Sequence, residues 1–298
     1  MILEERAYIK MKFSKRMDLF GESIFTTLAN MRSERKKQGL EVIDLSIGAP
    51  NIPPTQEVME TIAKEAMKPE NYLYVIQDAV DLQNTVKEWY ERRYGVVIDP
   101  TTELTSLLGS QDGLAHLALT LVDEGDIVLV QDPCYPIFRD GPLLAGAKVV
   151  TMPLLKENDY LIDFDEINEK TAQDAKYMIV SYPNNPTCGV ANDEFYKKLI
   201  VFAKKYNIMI LHDNAYSELL FEGPGHSFLE FEGAKDVGIE FNSLSKTYGL
   251  AGARIGFALG NKEIIGKLKS LKSNLDYGMF LPLGISISQP IDLQPLTN

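Results

Sequence analysis

Apolar positions follow two periods along this chain. Over residues 14 to 39, Met17, Phe20, Ile24, Leu28 and Met31 recur at spacings of three and four, which predicts an amphipathic helix with Gly39 as its stop. "EVIDLSIGAPNIPP" reads as a short strand running into a Gly/Pro loop. "TQEVMETIAKEAMK" resumes helix, with Thr55 as the expected cap.

From about residue 80 the period alternates. "VDLQNTVKEWYERRYG" and "NDEFYKKLIVFAKKYN" are helical. Short apolar runs end "ELTSLL", "DIVLVQ", "AKVVTM", "KYMIVS", "IMILHD", "VGIEFNS" and "RIGFALG". Strands that alternate with helices predict a three-layer α/β/α domain on a mainly parallel sheet covered on both faces. Sites in such sheets lie in loops at the carboxyl ends of strands. After Asp276, "YGMFLPLGISISQPIDLQPLTN" shows no helical or strand period and carries only one charge, Asp292. No internal repeat or low-complexity segment is present.

Composition narrows the function. The net charge of -12 leaves no basic surplus to neutralise phosphates, which argues against nonspecific binding of nucleic acid or acidic membranes. Two cysteines, Cys134 and Cys188, make no disulfide framework. The charged start has no signal-peptide core, and no apolar run reaches membrane length. The expectation is a cytoplasmic enzyme.

Candidate chemistry collects just after the strands. Gly109, Ser110 and Gln111 close one strand and open a helix, whose free N–H groups and dipole suit a phosphate. Tyr135, between prolines, is placed to stack on a planar ring, although loop packing serves equally well. Asn184 and Asn185 sit on a proline-braced turn, where either a ligand contact or local turn bonding would use them. Asp213 ends an apolar strand and needs a partner such as a protonated pyridine nitrogen; Tyr216 follows three residues on. His212 reads either as a neighbouring support of the site or, more simply, as a packed loop histidine, and His116 and His226 read as structural. Lys246 stands between Ser243, Ser245 and Arg254. A buried lysine loses charge and forms a Schiff base with an aldehyde, while arginine forks phosphate oxygens. Together these residues describe a pyridoxal phosphate site.

"SLSKTYGLAGARIGF" resembles the lysine signature of the class I/II (fold type I) pyridoxal-phosphate-dependent aminotransferases, and the resemblance runs from about residue 20 to 283. It implies Lys246 as the Schiff-base lysine and Asp213 as the partner of the ring nitrogen. Tyr216 and Asn185 would contact the ring's phenolic oxygen, and Tyr135 would stack on the ring. Ser110, Gln111, Ser243 and Arg254 would hold the phosphate. Tyr74 would reach the phosphate of a neighbouring subunit, implying a homodimer. Gly48, with Tyr135 and Asn185, would lie near the substrate. The implied reaction moves an amino group from an L-amino acid to a 2-oxo acid; a C–S β-lyase and a non-catalytic cofactor-binding remnant are the alternatives.

Three departures from the family pattern stand out. The Asn-Pro-x-Gly turn reads Asn185-Pro186-Thr187-Cys188 before Gly189, and Ala79 replaces a glycine. The resemblance also stops near Leu283, before the small domain that carries the family's carboxylate-binding arginine. The expected organisation is an N-terminal arm with part of a small domain (1–50), a cofactor-binding large domain (51–283) and an unassigned tail (284–298).

Overall fold

The computed structural model describes residues 11–288. They fall into two compact units, the first ending at Gly48 and the second beginning at Ala49.

In the N-terminal unit the expected single helix is two pieces, a 3-10 turn Lys15–Leu19 and a helix Ile24–Lys37. The break falls where Gly21 and an extended Ser23 interrupt the helical backbone. Neither piece buries a residue, so the apolar spacing seen in the sequence covers no core within this unit. Gly39 does stop the second helix region, with φ of 75°. The strand expected in "EVIDLSIG" is absent: the segment is irregular, and Ile43 and Leu45 are exposed. Its order comes from Asp44, which accepts from Ser46 N (3.0 Å) and Ser46 Oγ (2.6 Å) and pairs with Arg32.

The second unit is built on seven strands: β1 Leu104–Leu107, β2 Ile127–Asp132, β3 Lys148–Pro153, β4 Ala175–Ser181, β5 Met209–Asp213, β6 Gly238–Ser243 and β7 Gly256–Gly260. Their order is β1-β7-β6-β5-β4-β2-β3. β7 runs antiparallel to both its neighbours, and the other pairings are parallel. All seven apolar runs read from the sequence are these strands.

Alternation along the strands divides the core in two. Leu129, Met178, Val180, Ile210, Phe257 and Leu259 belong to one cluster, with Val86, Tyr90 and Leu199 of the helices Val80–Tyr94 and Asp193–Tyr206. Val128, Val130, Tyr177, Ile179, Leu211 and Ala258 belong to the other, with Leu114, Leu117, Ile265 and Leu268 of the helices Ser110–Leu121 and Lys262–Leu275. Helix starts follow local chemistry. Thr55 caps Gln56–Ala66 by accepting from Val58 N, and Asn192 caps Asp193–Tyr206 by accepting from Phe195 N.

The region after Asp276 differs from its reading. Leu281–Ser288 is a helix that packs on Gln56–Ala66 and Val80–Tyr94. It lacks charge on every side, so no polar face revealed its period. A Cβ on Gly284 would lie 3.3 Å from Ala79 Cβ, so two small residues let the helices approach. Residues 289–298 of the unassigned tail lie outside the described residues.

Candidate active site

Every candidate cofactor residue of the second unit except Tyr74 and Arg254 lies in, or just after, a strand end, and Arg254 stands just before the start of β7. After β1 the chain turns at Gly109, whose φ of 85° suits glycine. A Cβ there would stand 2.3 Å from Arg254 Nη2. The guanidinium of Arg254 therefore lies directly against the first turn of Ser110–Leu121, and it donates to Leu108 O (3.4 Å) and Ala251 O (3.2 Å). Gly256 makes similar room: a Cβ there would lie 2.8 Å from Ser110 N. A helix start, a fork of guanidinium donors and two missing side chains form a cradle for a doubly charged phosphate.

Ser243 ends β6 and caps the short helix Leu244–Thr247 by accepting from Ser245 N at 3.2 Å. Its hydroxyl also stands 2.9 Å from Ser245 Oγ and 3.2 Å from Ile255 O. Lys246 is half-buried on that helix, and its Nζ lies 5.9 Å from the centre of the Tyr216 ring. Burial, and then the charge of Arg254, lower the pKa of its ammonium. That shift favours the neutral amine that imine chemistry needs.

Asp213 ends β5 and is 6% exposed. Its Oδ1 is buried with no hydrogen-bond partner in the protein. Burial, and then the charge of Glu240, push its carboxyl up to about 7. An unsatisfied buried carboxylate oxygen is costly unless a cationic donor reaches it; a pyridinium N–H is such a donor. Asn185 Nδ2 donates to Tyr216 Oη at 3.2 Å, bringing an amide and a phenol together. Burial, and then Asp213, push the Tyr216 hydroxyl up to about 12. Tyr135 Oη donates to Gln111 Oε1 at 2.9 Å. Burial and Asp213 raise its pKa while Arg254 lowers it, so the fields of both groups reach this ring.

These residues fit pyridoxal phosphate. The buried orphan oxygen of Asp213 would suit the ring nitrogen, the Gly109–Arg254 cradle would suit the phosphate, and Lys246, within the field of Arg254, would offer the amine. Tyr74 is 85% exposed, with its ring centre 5.8 Å from that of Tyr277. Gly48 belongs to the N-terminal unit.

Several polar residues behind the site escaped the sequence reading. Glu240 is fully buried and saturated by four donors: Phe228 N (2.7 Å), Tyr90 Oη (2.8 Å), Ser227 Oγ (2.9 Å) and His212 Nδ1 (3.0 Å). His212 is thus a strand residue with a defined partner, not a loop residue. The signal was a glutamate inside the apolar run "VGIEF", since a buried charge demands partners. Lys272 Nζ joins Asp112 Oδ2 (2.7 Å) to Asp276 Oδ2 (3.0 Å), tying the first turn of the cradle helix to Lys262–Leu275. His116 Nδ1 stands 2.8 Å from Asp112 in the same cluster, and His226 pairs with Glu230. Among the described residues no helix is long and apolar enough to cross a membrane.

Comparison with known proteins agrees with this geometry. The sequence model of the family "Aminotransferase class I and II" matches residues 41–278. The chain is 44% identical, over 272 residues, to an LL-diaminopimelate aminotransferase of Aquifex aeolicus, covering 90% of this chain and 70% of that protein. It is 43% identical to an LL-diaminopimelate aminotransferase of Dehalococcoides mccartyi, with the same coverage. In fold it is similar to apo-BacF of Bacillus subtilis, with a TM-score of 0.89 and 36% identity over 93% of this chain and 72% of that one. The chain therefore belongs to the class I and II aminotransferases, pyridoxal-phosphate-dependent enzymes that move an amino group between an amino acid and a 2-oxo acid.

Proposed function

We propose that the amino donor of this chain is LL-diaminopimelate, and that a 2-oxo acid such as 2-oxoglutarate is the acceptor. The observation that carries this reading is the 44% identity to an LL-diaminopimelate aminotransferase across nine-tenths of the chain.

The residue roles follow from the chemistry of each group. Bound pyridoxal phosphate supplies an electron sink for the carbanion left when the substrate loses its α-proton. Lys246 would hold the cofactor through its Nζ, and its amine, with lowered pKa, would move the substrate's α-proton. Asp213 keeps a proton at the ring nitrogen. Asn185 and Tyr216, already hydrogen-bonded to each other, orient the phenolic oxygen. Tyr135 covers one ring face, and Ser110, Gln111, Ser243 and Arg254 bind the phosphate. Tyr135 and Asn185 also face the substrate.

The working form is a homodimer in which Tyr74 completes the partner's phosphate site, and the cell compartment is the cytoplasm. In support of the dimer, Tyr72, Leu73, Tyr74 and Ile76 are an apolar run, each about two-thirds exposed or more.

The test mixes purified protein, pyridoxal phosphate and 2-oxoglutarate with LL-diaminopimelate, aspartate or alanine. Glutamate formed with LL-diaminopimelate at a kcat/KM at least about tenfold above the others supports the reading. Preference for another donor overturns the substrate. Pyruvate and ammonia from a cysteine conjugate, without glutamate, would mark a lyase instead.

A further inference from the structure

We infer that Gln131, acting through Asn184, is a positioning residue for the cofactor-facing amide of Asn185. This rests on the role given to Asn185 above. The β2–β4 ladder ends where Val130 faces Ile179. Beyond it, Ser181 N donates not to backbone but to Gln131 Oε1, at 2.8 Å. Ser181 is the residue that stands in register with Asp213 on the other side of β4.

The same Gln131 oxygen also accepts from Asn184 Nδ2, at 3.2 Å. Asn184, itself buried, is the internal brace of the loop that follows. Its Oδ1 accepts from Thr187 N (3.0 Å) and Thr187 Oγ1 (2.8 Å), and its Nδ2 also reaches Ser181 O (3.3 Å). The backbone closes around it, with Asn184 N bonded to Gly189 O (2.9 Å) and Cys188 N to Asn184 O (3.0 Å). One carbonyl oxygen thus fixes both the root of the loop and its centre, and Asn185 is the next residue. Asn185 then aims its amide at Tyr216 Oη.

A glutamine fully buried beside Val128, Leu129 and Val130 is expensive unless its hydrogen bonds matter. Its Nε2 makes no hydrogen bond of good geometry and reaches only the neighbourhood of the buried Tyr182 hydroxyl, so an apolar side chain would suit bare packing better. The acceptor oxygen is what the site retains, and small displacements of a positioned group cost large factors in rate.

The experiment uses the holoenzyme and four variants: Gln131→Met, Asn185→Ala, their double, and Thr187→Val, which removes one brace of Asn184 and sits nearer the surface. The readouts are the pH midpoint of the bound cofactor's absorbance, the Kd for pyridoxal phosphate, and kcat against KM. Gln131→Met should shift the midpoint in the same direction as Asn185→Ala and lower kcat about tenfold, with KM changed less than about twofold. The double should shift no further than Asn185→Ala alone, and Thr187→Val should give part of the shift. A lower Tm with an unmoved midpoint in Gln131→Met, or additive shifts in the double, overturns the inference. If Gln131→Met does not fold, an unmoved midpoint in Thr187→Val overturns it. An unmoved midpoint in Asn185→Ala itself would instead remove the role of Asn185, and the inference with it.

Discussion

Replacing Asp213 with asparagine should make the cofactor-free protein more stable above neutral pH, although it removes a group central to the site. Burial and Glu240 raise this carboxyl from 3.8 to about 7. The folded state therefore holds its proton where the unfolded state has released it. Below pH 4 both states are protonated, and Asp213 costs nothing. Between about 4 and 7 the folded chain binds the extra proton, so stability falls as pH rises. Above 7 the cost levels off. At about 1.4 kcal/mol per pH unit, that interval sets an upper bound of about 4 kcal/mol. Asparagine has no proton to lose and keeps the shape. Denaturant unfolding of cofactor-free wild type and Asp213→Asn at pH 5, 6, 7 and 8 would show the variant's advantage growing through that window. With pyridoxal phosphate bound the order should reverse, because the carboxylate then faces a cation and the variant binds the cofactor more weakly. A difference that stays flat with pH, or a wild type more stable at pH 8 without cofactor, would refute the reasoning.

Other perturbations test other parts of the site. Lys246→Ala should replace the imine band by the absorbance of the unattached aldehyde, with no pH-dependent imine transition, and lower turnover by about three orders of magnitude or more, read by absorbance and glutamate formation. Gly109→Ala would drive a methyl group into Arg254 Nη2, 2.3 Å away, at a φ of 85°. It should raise the Kd for pyridoxal phosphate about tenfold to a hundredfold and cost about 1–2 kcal/mol of folding stability. Lys272→Met would leave Asp112 and Asp276 without their shared cation, destabilising the fold by about 3 kcal/mol at pH 7 in urea titrations. Burial raises the Asp112 carboxyl, but His116 and Lys272 outweigh it and hold the group well below the usual carboxylate range. That stabilisation is present above about pH 4 and disappears as pH falls through the lowered pKa, so the gap between variant and wild type should narrow in acid.

Much of the second unit was legible because its elements have one-sided or two-sided burial that sequence period records. The runs "KYMIVS" and "IMILHD" could only be strands covered on both faces, and they became β4 and β5. Helix Leu281–Ser288 was invisible for the opposite reason: it has no charged face to contrast with its buried one. The segment around Val42–Ile47 has strand-like residues but pairs with no strand among the described residues, so propensity alone misled. In the site, Asp213 and Lys246 stood out as polar residues following apolar runs, and Arg254 as one standing just ahead of such a run. Gln131 and Glu240 lie within such runs, and their partners are 50 residues away or come from other elements. Only the folded contacts reveal what they hold.

Borohydride reduction of the protein loaded with pyridoxal phosphate, followed by peptide mass mapping, asks most directly which amine carries the cofactor. A single pyridoxyl adduct on the peptide containing Lys246, absent when Asp213 is replaced by alanine at limiting cofactor, is the predicted result. An adduct on another lysine, or scattered labelling unaffected by Asp213, would contradict the account.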